Sequence, residues 1–92
     1  MIRSFRHKRL EAFYRTGSAS GIAASHAAKL RRILGALEVA ERPEDLSFPS
    51  FQLHPLKGEL KGHWSISVNG NWRVIFRFAG ADVELVDYLD YH

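Results

Sequence analysis

The 92-residue sequence contains no cysteine, one methionine and three prolines. Without cysteine, neither a disulfide nor a thiolate-bound metal can brace the fold, so side-chain packing must hold it. No apolar run approaches the roughly 20 residues that span a bilayer. Met1-Ile2-Arg3-Ser4-Phe5 also lacks the long apolar segment of a secretory signal. Membrane insertion and export are therefore not expected, and the chain reads as cytoplasmic. A phosphate-binding glycine loop, a nucleophile elbow and zinc-ligand spacing are missing too. His7, His26 and His63 fall at no tight ligand spacing with acidic residues. The chemistry expected of this chain uses no metal and no cofactor.

What is present is ordinary globular composition, with 46% hydrophobic and 25% charged residues. The length allows one core, and a single domain over residues 1–92 is expected. Lys and Arg number 13 against 10 Asp and Glu, a net charge of +3 that favours polyanions. The distribution is uneven. Arg3, Arg6, Lys8, Arg9 and Arg15 load the first segment and Lys29, Arg31 and Arg32 the second, while Glu38, Glu41, Glu44 and Asp45 form an acidic stretch after them. Basic helices of this kind are commonly a solvated face; they also suit phosphate contacts to structured RNA.

Ile2 to Phe5 predicts a short opening strand, and Leu10, Phe13 and Tyr14 predict a helix over 8–15 that Thr16-Gly17-Ser18 stops. Ala27, Leu30, Ile33, Leu34, Leu37 and Ala40 recur at three- and four-residue intervals, which predicts one buried helical stripe from about Ile22 to Ala40, ended by Pro43. Residues 44–49 read as a loop with a turn of helix, leading into an extended Phe51-Gln52-Leu53-His54 ahead of Pro55. Trp64, Ile66 and Val68 then alternate, Asn69-Gly70-Asn71 signals a hairpin, and Trp72, Val74, Phe76 and Phe78 share a face opposite Arg73, Ile75 and Arg77. A last strand is expected over 82–88. The expected architecture is α+β, with N-terminal helices on one face of a twisted, mainly antiparallel sheet whose other face is partly open.

Chemically capable side chains cluster at three places. His54 and Lys57 flank the turn in Leu53-His54-Pro55-Leu56-Lys57-Gly58, Arg73 opens a strand, and Asp90, Tyr91 and His92 close the chain. In isolation a histidine at a strand end is commonly solvated, and a lysine such as Lys57 an ordinary surface cation. Arg73 reads equally well as a charge on a half-exposed sheet or as a bidentate phosphate clamp, and Arg77, which shares its face, is a substrate-binding candidate that extends the same positive surface or merely solvates it. Asp90 and His92 share a side of an extended backbone while Tyr91 points away. Together these groups suit RNA cleavage, in which a base takes the 2′-hydroxyl proton, a cation stabilises the phosphorane and an acid protonates the departing 5′-oxygen. An ordered Tyr91 can stack on a base.

Leu53-His54-Pro55-Leu56-Lys57-Gly58, Trp64-Ser65-Ile66-Ser67-Val68, Asn71-Trp72-Arg73-Val74-Ile75-Phe76 and Asp90-Tyr91-His92, in that order, closely resemble the HigB-type killer toxins of the RelE/ParE superfamily. The resemblance covers essentially the whole chain. It implies a microbial-ribonuclease-like RelE fold and an endoribonuclease that cuts messenger RNA in the ribosomal decoding site, with the basic helices on ribosomal RNA. It also implies a cognate HigA-like antitoxin with a helix-turn-helix domain, through which alone operator DNA is met. The family's functional positions match His54, Lys57, Arg73, Asp90, Tyr91 and His92. His54 or His92 would be the base, Arg73 and Lys57 would stabilise the phosphorane, Asp90 would orient a histidine, and Tyr91 would position the nucleotide. Two rival readings stay open: a toxin that binds gyrase, as in the ParE branch, and a nucleic-acid-binding module without turnover.

Overall fold

Hydrophobic spacing sends one stripe of each helix and one face of each strand to a common interior. The computed structural model describes residues 1–91. Two helices, α1 (Lys8–Thr16) and α2 (Ala27–Val39), pack on one face of an antiparallel sheet of four strands. These are β1 (His54–Pro55), β2 (His63–Asn69), β3 (Trp72–Ala79) and β4 (Asp82–Asp90), and they neighbour one another in chain order. The expected α+β architecture is observed.

The His7 side chain caps α1 by accepting the Leu10 N–H at 3.0 Å, and Gly17 closes the helix in the left-handed region, φ 78°, donating to Phe13 O. On α2, Leu30, Ile33, Leu34 and Leu37 are buried, as the sequence spacing requires. That helix is shorter than expected. Ala23 is extended, a 3-10 turn covers Ala24–His26, and α2 begins only at Ala27. Ile22 and His26 are still buried, so their apolar spacing reports a core-facing connection rather than helix. At its other end α2 stops at Val39, and Pro43 opens a separate 3-10 turn, Pro43–Leu46, instead of terminating the helix.

The helical stripes meet Ile66, Val68, Val74, Phe76, Val83, Val86 and Tyr88 in one cluster, each fully buried large aliphatic side chain contributing about 1.5–3 kcal/mol. The β2–β3 turn contains two residues, since Asn69 pairs with Trp72, and Gly70 takes φ 56° at its first central position, where a side chain would be strained. Upstream, Phe51 ends a 3-10 turn and Gln52 is left-handed at φ 48°, so pairing starts at His54 rather than at Phe51.

Both sides of β4 are occupied. Ile2 and Phe5 do not make a regular strand but form isolated parallel bridges to Val83 and Val86, with Arg3 N donating to Val83 O at 2.7 Å and Arg6 N to Val86 O at 2.8 Å. Glu38 secures the same segment, accepting from Ile2 N and from the Tyr14 hydroxyl, a hydrogen bond that holds the Glu38 carboxyl below the usual glutamate range. Leu85, at φ 58°, sits where the β3–β4 register shifts. This bulge changes the alternation so that Val83 and Val86, three apart, both reach the core. With those bonds in place β4 continues to Asp90, two residues beyond the expected end.

Two glycines of the helical layer, Gly35 and Gly17, make opposite predictions. Gly35 lies inside α2 with open space where a Cβ would go and needs no positive φ, so Gly35→Ala is expected to stabilise by about 1 kcal/mol and raise Tm by roughly 4–8 °C. Gly17 has equal space but φ 78°, so Gly17→Ala should lower stability by about 1–2 kcal/mol. Thermal unfolding followed by circular dichroism checks both, and equal signs would overturn the conformational argument.

Candidate active site at the sheet end

Register decides which candidate side chains share a surface. His54 pairs with Ser65, Ser65 with Ile75 and Ile75 with Asp87, while Ser67, Arg73 and Leu89 form another row two residues away. Paired residues lie on one side of a sheet. His54 and Arg73 therefore share the face away from the helices, two strands and two residues apart, on the order of 12 Å between Cα atoms in a flat sheet. His54 is exposed, with Nδ1 3.4 Å from Gln52 O. Lys57 is also exposed and precedes the 3-10 turn Gly58–Leu60.

Arg73 and the tail meet at the β2–β3 turn. Arg73 Nη1 donates to Gly70 O at 2.7 Å, to Trp72 O at 3.2 Å and to Ser67 Oγ at 3.4 Å. The next carbonyl, Asn71 O, accepts from Tyr91 N at 2.8 Å. Asp90 pairs with Trp72, which packs on the helical side, so strand alternation puts Asp90 at the end of that face and turns Tyr91 towards the Arg73 side. Asp90 and Tyr91 are both exposed. Three of the expected groups thus surround one turn. His54 and Lys57 approach from the β1 edge, with Arg73 on a central strand between that edge and β4. His92 lies outside the described residues.

Arg77 belongs to the same face but is engaged. Its Nε donates to Glu84 Oε2 at 2.6 Å and its Nη2 lies 2.5 Å from the same oxygen. Pairing cancels most of the attraction Arg77 offers a distant phosphate. In contrast Lys29, which sequence reasoning left among the basic residues of the helices, is electrostatically coupled to the site. Burial foremost, then Arg32 and Arg73, lowers its pKa from the ordinary lysine value. Only folding brings an α2 lysine near a β3 arginine.

The outer face is also less open than expected. Leu56, His63, Ser65 and Ile75 are buried there, outside the main core cluster, and Leu56 N donates to His63 O at 2.9 Å. Both His63 ring nitrogens and Ser65 Oγ find no partner among the described residues. The alternation of β2 places His63 and Ser65 on this face; nothing in the sequence signals their burial. Among the described residues no three His, Asp or Glu side chains gather as a metal centre requires.

Beneath the tail lies an aromatic support. Trp72 and Tyr88 pack with ring centroids 4.8 Å apart, His26 meets both rings edge-on, and His7 meets Tyr88 at 5.4 Å. His26 is buried, with Nδ1 2.6 Å from the Tyr88 hydroxyl, which also bonds the Ala23 backbone. Burial pushes the Tyr88 phenol above the ordinary tyrosine range, so it remains a protonated donor. The residues before and after Tyr88 on β4 are thereby fixed relative to α2.

The model of the HigB-like toxin family, described as the RelE-like toxin of type II toxin–antitoxin system HigB, matches residues 3–92. The chain is 39% identical over 92 residues to a Proteus vulgaris protein named Endoribonuclease HigB, covering 100% of each. It is 36% identical over 94 residues to Toxin HigB-1 of Vibrio cholerae, covering 100% of this chain and 98% of that protein. The fold is similar to a YoeB/ParE toxin from Agrobacterium tumefaciens, with TM-score 0.64, 19% identity and coverage of 99% and 96% of the two chains. A YoeB–YefM complex from Staphylococcus aureus also scores 0.64, at 15% identity, covering 100% of this chain and 98% of the matched one.

Removing the Tyr88 hydroxyl should expose how much the tail depends on this support. Tyr88→Phe keeps the ring but leaves buried His26 Nδ1 without its partner, at an expected cost of about 1–3 kcal/mol. Urea unfolding measures it, and an unchanged midpoint with an unchanged slope would show the hydroxyl to be idle.

Proposed function

The chain belongs to the HigB-like family of RelE-like type II toxins, and from that membership we propose that it is a ribosome-dependent endoribonuclease that cuts messenger RNA in the decoding site. The observation that carries this reading is the convergence at the β2–β3 turn, where the Gly70 and Asn71 carbonyls hold the Arg73 guanidinium and the Tyr91 backbone side by side. A fixed cation at the turn that also anchors the backbone of an exposed tyrosine suits a phosphodiester with its attached base.

In the proposed reaction the 2′-oxygen attacks the adjacent phosphorus as its proton passes to His54 or His92. The bond to the 5′-oxygen then breaks as the leaving oxygen takes a proton from the other histidine or a neighbouring group. Arg73 is held through Nη1, so the rest of its planar fork can face the phosphate, and with Lys57 it stabilises charge as the phosphorane forms. Asp90 would orient a histidine and Tyr91 would position the nucleotide. Arg77 requires release from Glu84 before it can bind substrate directly. The reaction as written needs no metal.

Ribosome dependence has a physical basis in the spread of the site. Groups drawn from β1, β3, the end of β4 and the loop after β1 gain most when the message is already oriented, and ribosomal RNA bound by the basic helices supplies that orientation. A cognate helix-turn-helix antitoxin of HigA type is the proposed partner, with operator DNA met only through it and the pair residing in the cytoplasm. The complex of YoeB with YefM, a structure of the same fold, supports an antitoxin partner.

Mapping message ends with translating ribosomes present and absent tests the proposal. Cleavage is expected only with ribosomes, leaving a 2′,3′-cyclic phosphate and a 5′-hydroxyl, and Arg73→Ala should slow it by about a hundred- to a thousandfold. A 3′-hydroxyl with a 5′-phosphate, or efficient cutting of free transcripts, contradicts this chemistry. Growth arrest that persists in Arg73→Ala without cut message would instead favour a binding toxin of the gyrase-directed kind.

A further inference from the structure

The helix α2 and the segment before β1 form a groove of about 270 Å³ lined by Arg32, Ala36, Phe48 and Phe51. Phe48 is half exposed, an unusual position for a large aromatic ring, and meets the buried Phe51 ring edge-on at 5.1 Å. Arg32 lies over Phe51 with its guanidinium carbon 6.0 Å from the ring centroid. One turn earlier on α2, Lys29 Nζ donates to Ser50 O at 2.7 Å, tying the helix to the 3-10 turn Pro49–Phe51 that follows Phe48. Arg32 and Arg73 both act on Lys29 as like charges. Two cations of α2 therefore stand at and beside the groove, Arg32 and Lys29, and the Arg73 charge acts on Lys29 from the β2–β3 turn.

Their mutual repulsion is costly in the free protein, and an anion laid along them relieves the cost. Of the acids that precede Phe48, Asp45 is already engaged by Glu41 N–H at 3.0 Å and by Arg42 Nε at 3.7 Å. We propose that this groove is a nucleotide subsite for single-stranded RNA, in which a base stacks on Phe48 beneath Arg32 while the adjoining phosphates pass along Arg32 and Lys29 towards Arg73. The inference rests on the endoribonuclease reading and extends it to where the strand runs beyond the scissile linkage. An aromatic face with a guanidinium plane beside it grips any base, so the subsite adds affinity without sequence preference. The volume suits one base better than a larger ligand.

The test uses a fluorescein-labelled 2′-O-methyl RNA of about ten nucleotides, which lacks the attacking hydroxyl and stays uncut, titrated with the full-length protein and followed by anisotropy. Phe48→Ala should weaken binding roughly five- to a hundredfold at every salt concentration. Arg32→Gln should weaken it and reduce the slope of log affinity against log salt by about one. Phe48→Leu, which keeps apolar bulk without an aromatic face, should behave like Phe48→Ala, and unchanged melting temperatures establish that both variants are folded. Wild-type affinity in Phe48→Ala overturns the proposal. So does a selective loss of antitoxin binding in that variant, which would make the groove a protein-docking site. Cleavage of message on programmed ribosomes by the wild type is measured in parallel. If it occurs while the oligonucleotide results fail, only the groove falls; if it does not occur, the endoribonuclease reading falls first.

Discussion

Two consecutive carbonyl groups, those of Gly70 and Asn71, hold together the parts of the proposed site that come from different strands. Gly70 O takes the Arg73 guanidinium and Asn71 O takes the Tyr91 N–H. Turn carbonyls at a sheet end have no ladder partner and would otherwise face water. Here they fix a long cationic side chain and the last described residue of the chain against each other. Freedom that a flexible arginine and a frayed tail would lose on binding RNA is already lost on folding.

That arrangement requires β4 to persist to its end, and its persistence depends on contacts at the far end of the sequence. Bridges from Ile2 and Phe5 keep β4 from being an edge strand, and Glu38 on α2 holds the start of that segment. A left-handed Leu85, a conformation that costs a non-glycine residue of order 1–3 kcal/mol, permits Val83 and Val86 to enter the core together. The strain is offset by burial of two valines and by the Ser4 hydroxyl, which accepts the Leu85 N–H at 2.9 Å. Packing of the first few residues thus supports the geometry of the last few.

Buried polar groups divide by role. His26 is satisfied by Tyr88 and belongs to the support under Trp72 and the tail. His63 and Ser65 are buried without partners among the described residues, on the face that carries His54 and Arg73. Unpaired buried polar atoms cost about 1–3 kcal/mol each. Lys57 lies between Leu56 and the turn Gly58–Leu60. The phosphate contact proposed for Lys57 thus stands outside the regular strands, whereas that of Arg73 stands on a central strand.

By itself the sequence determined what repeats locally. The three- and four-residue spacing of Leu30, Ile33, Leu34 and Leu37 specified the buried stripe of α2, and the two-residue alternation from Trp64 to Phe78 specified β2, β3 and their turn. It also displayed the ordered motifs around His54, Arg73 and the tail by which the family can be recognised. Tertiary structure decided the rest, because register and long-range pairing leave no periodic trace. It joined Arg77 to Glu84, set Lys29 near Arg73, buried His63, and bridged Ile2 and Phe5 to a strand some eighty positions away. Period is a property of neighbouring residues on one chain segment; charge partners and burial are properties of surfaces that meet only after folding.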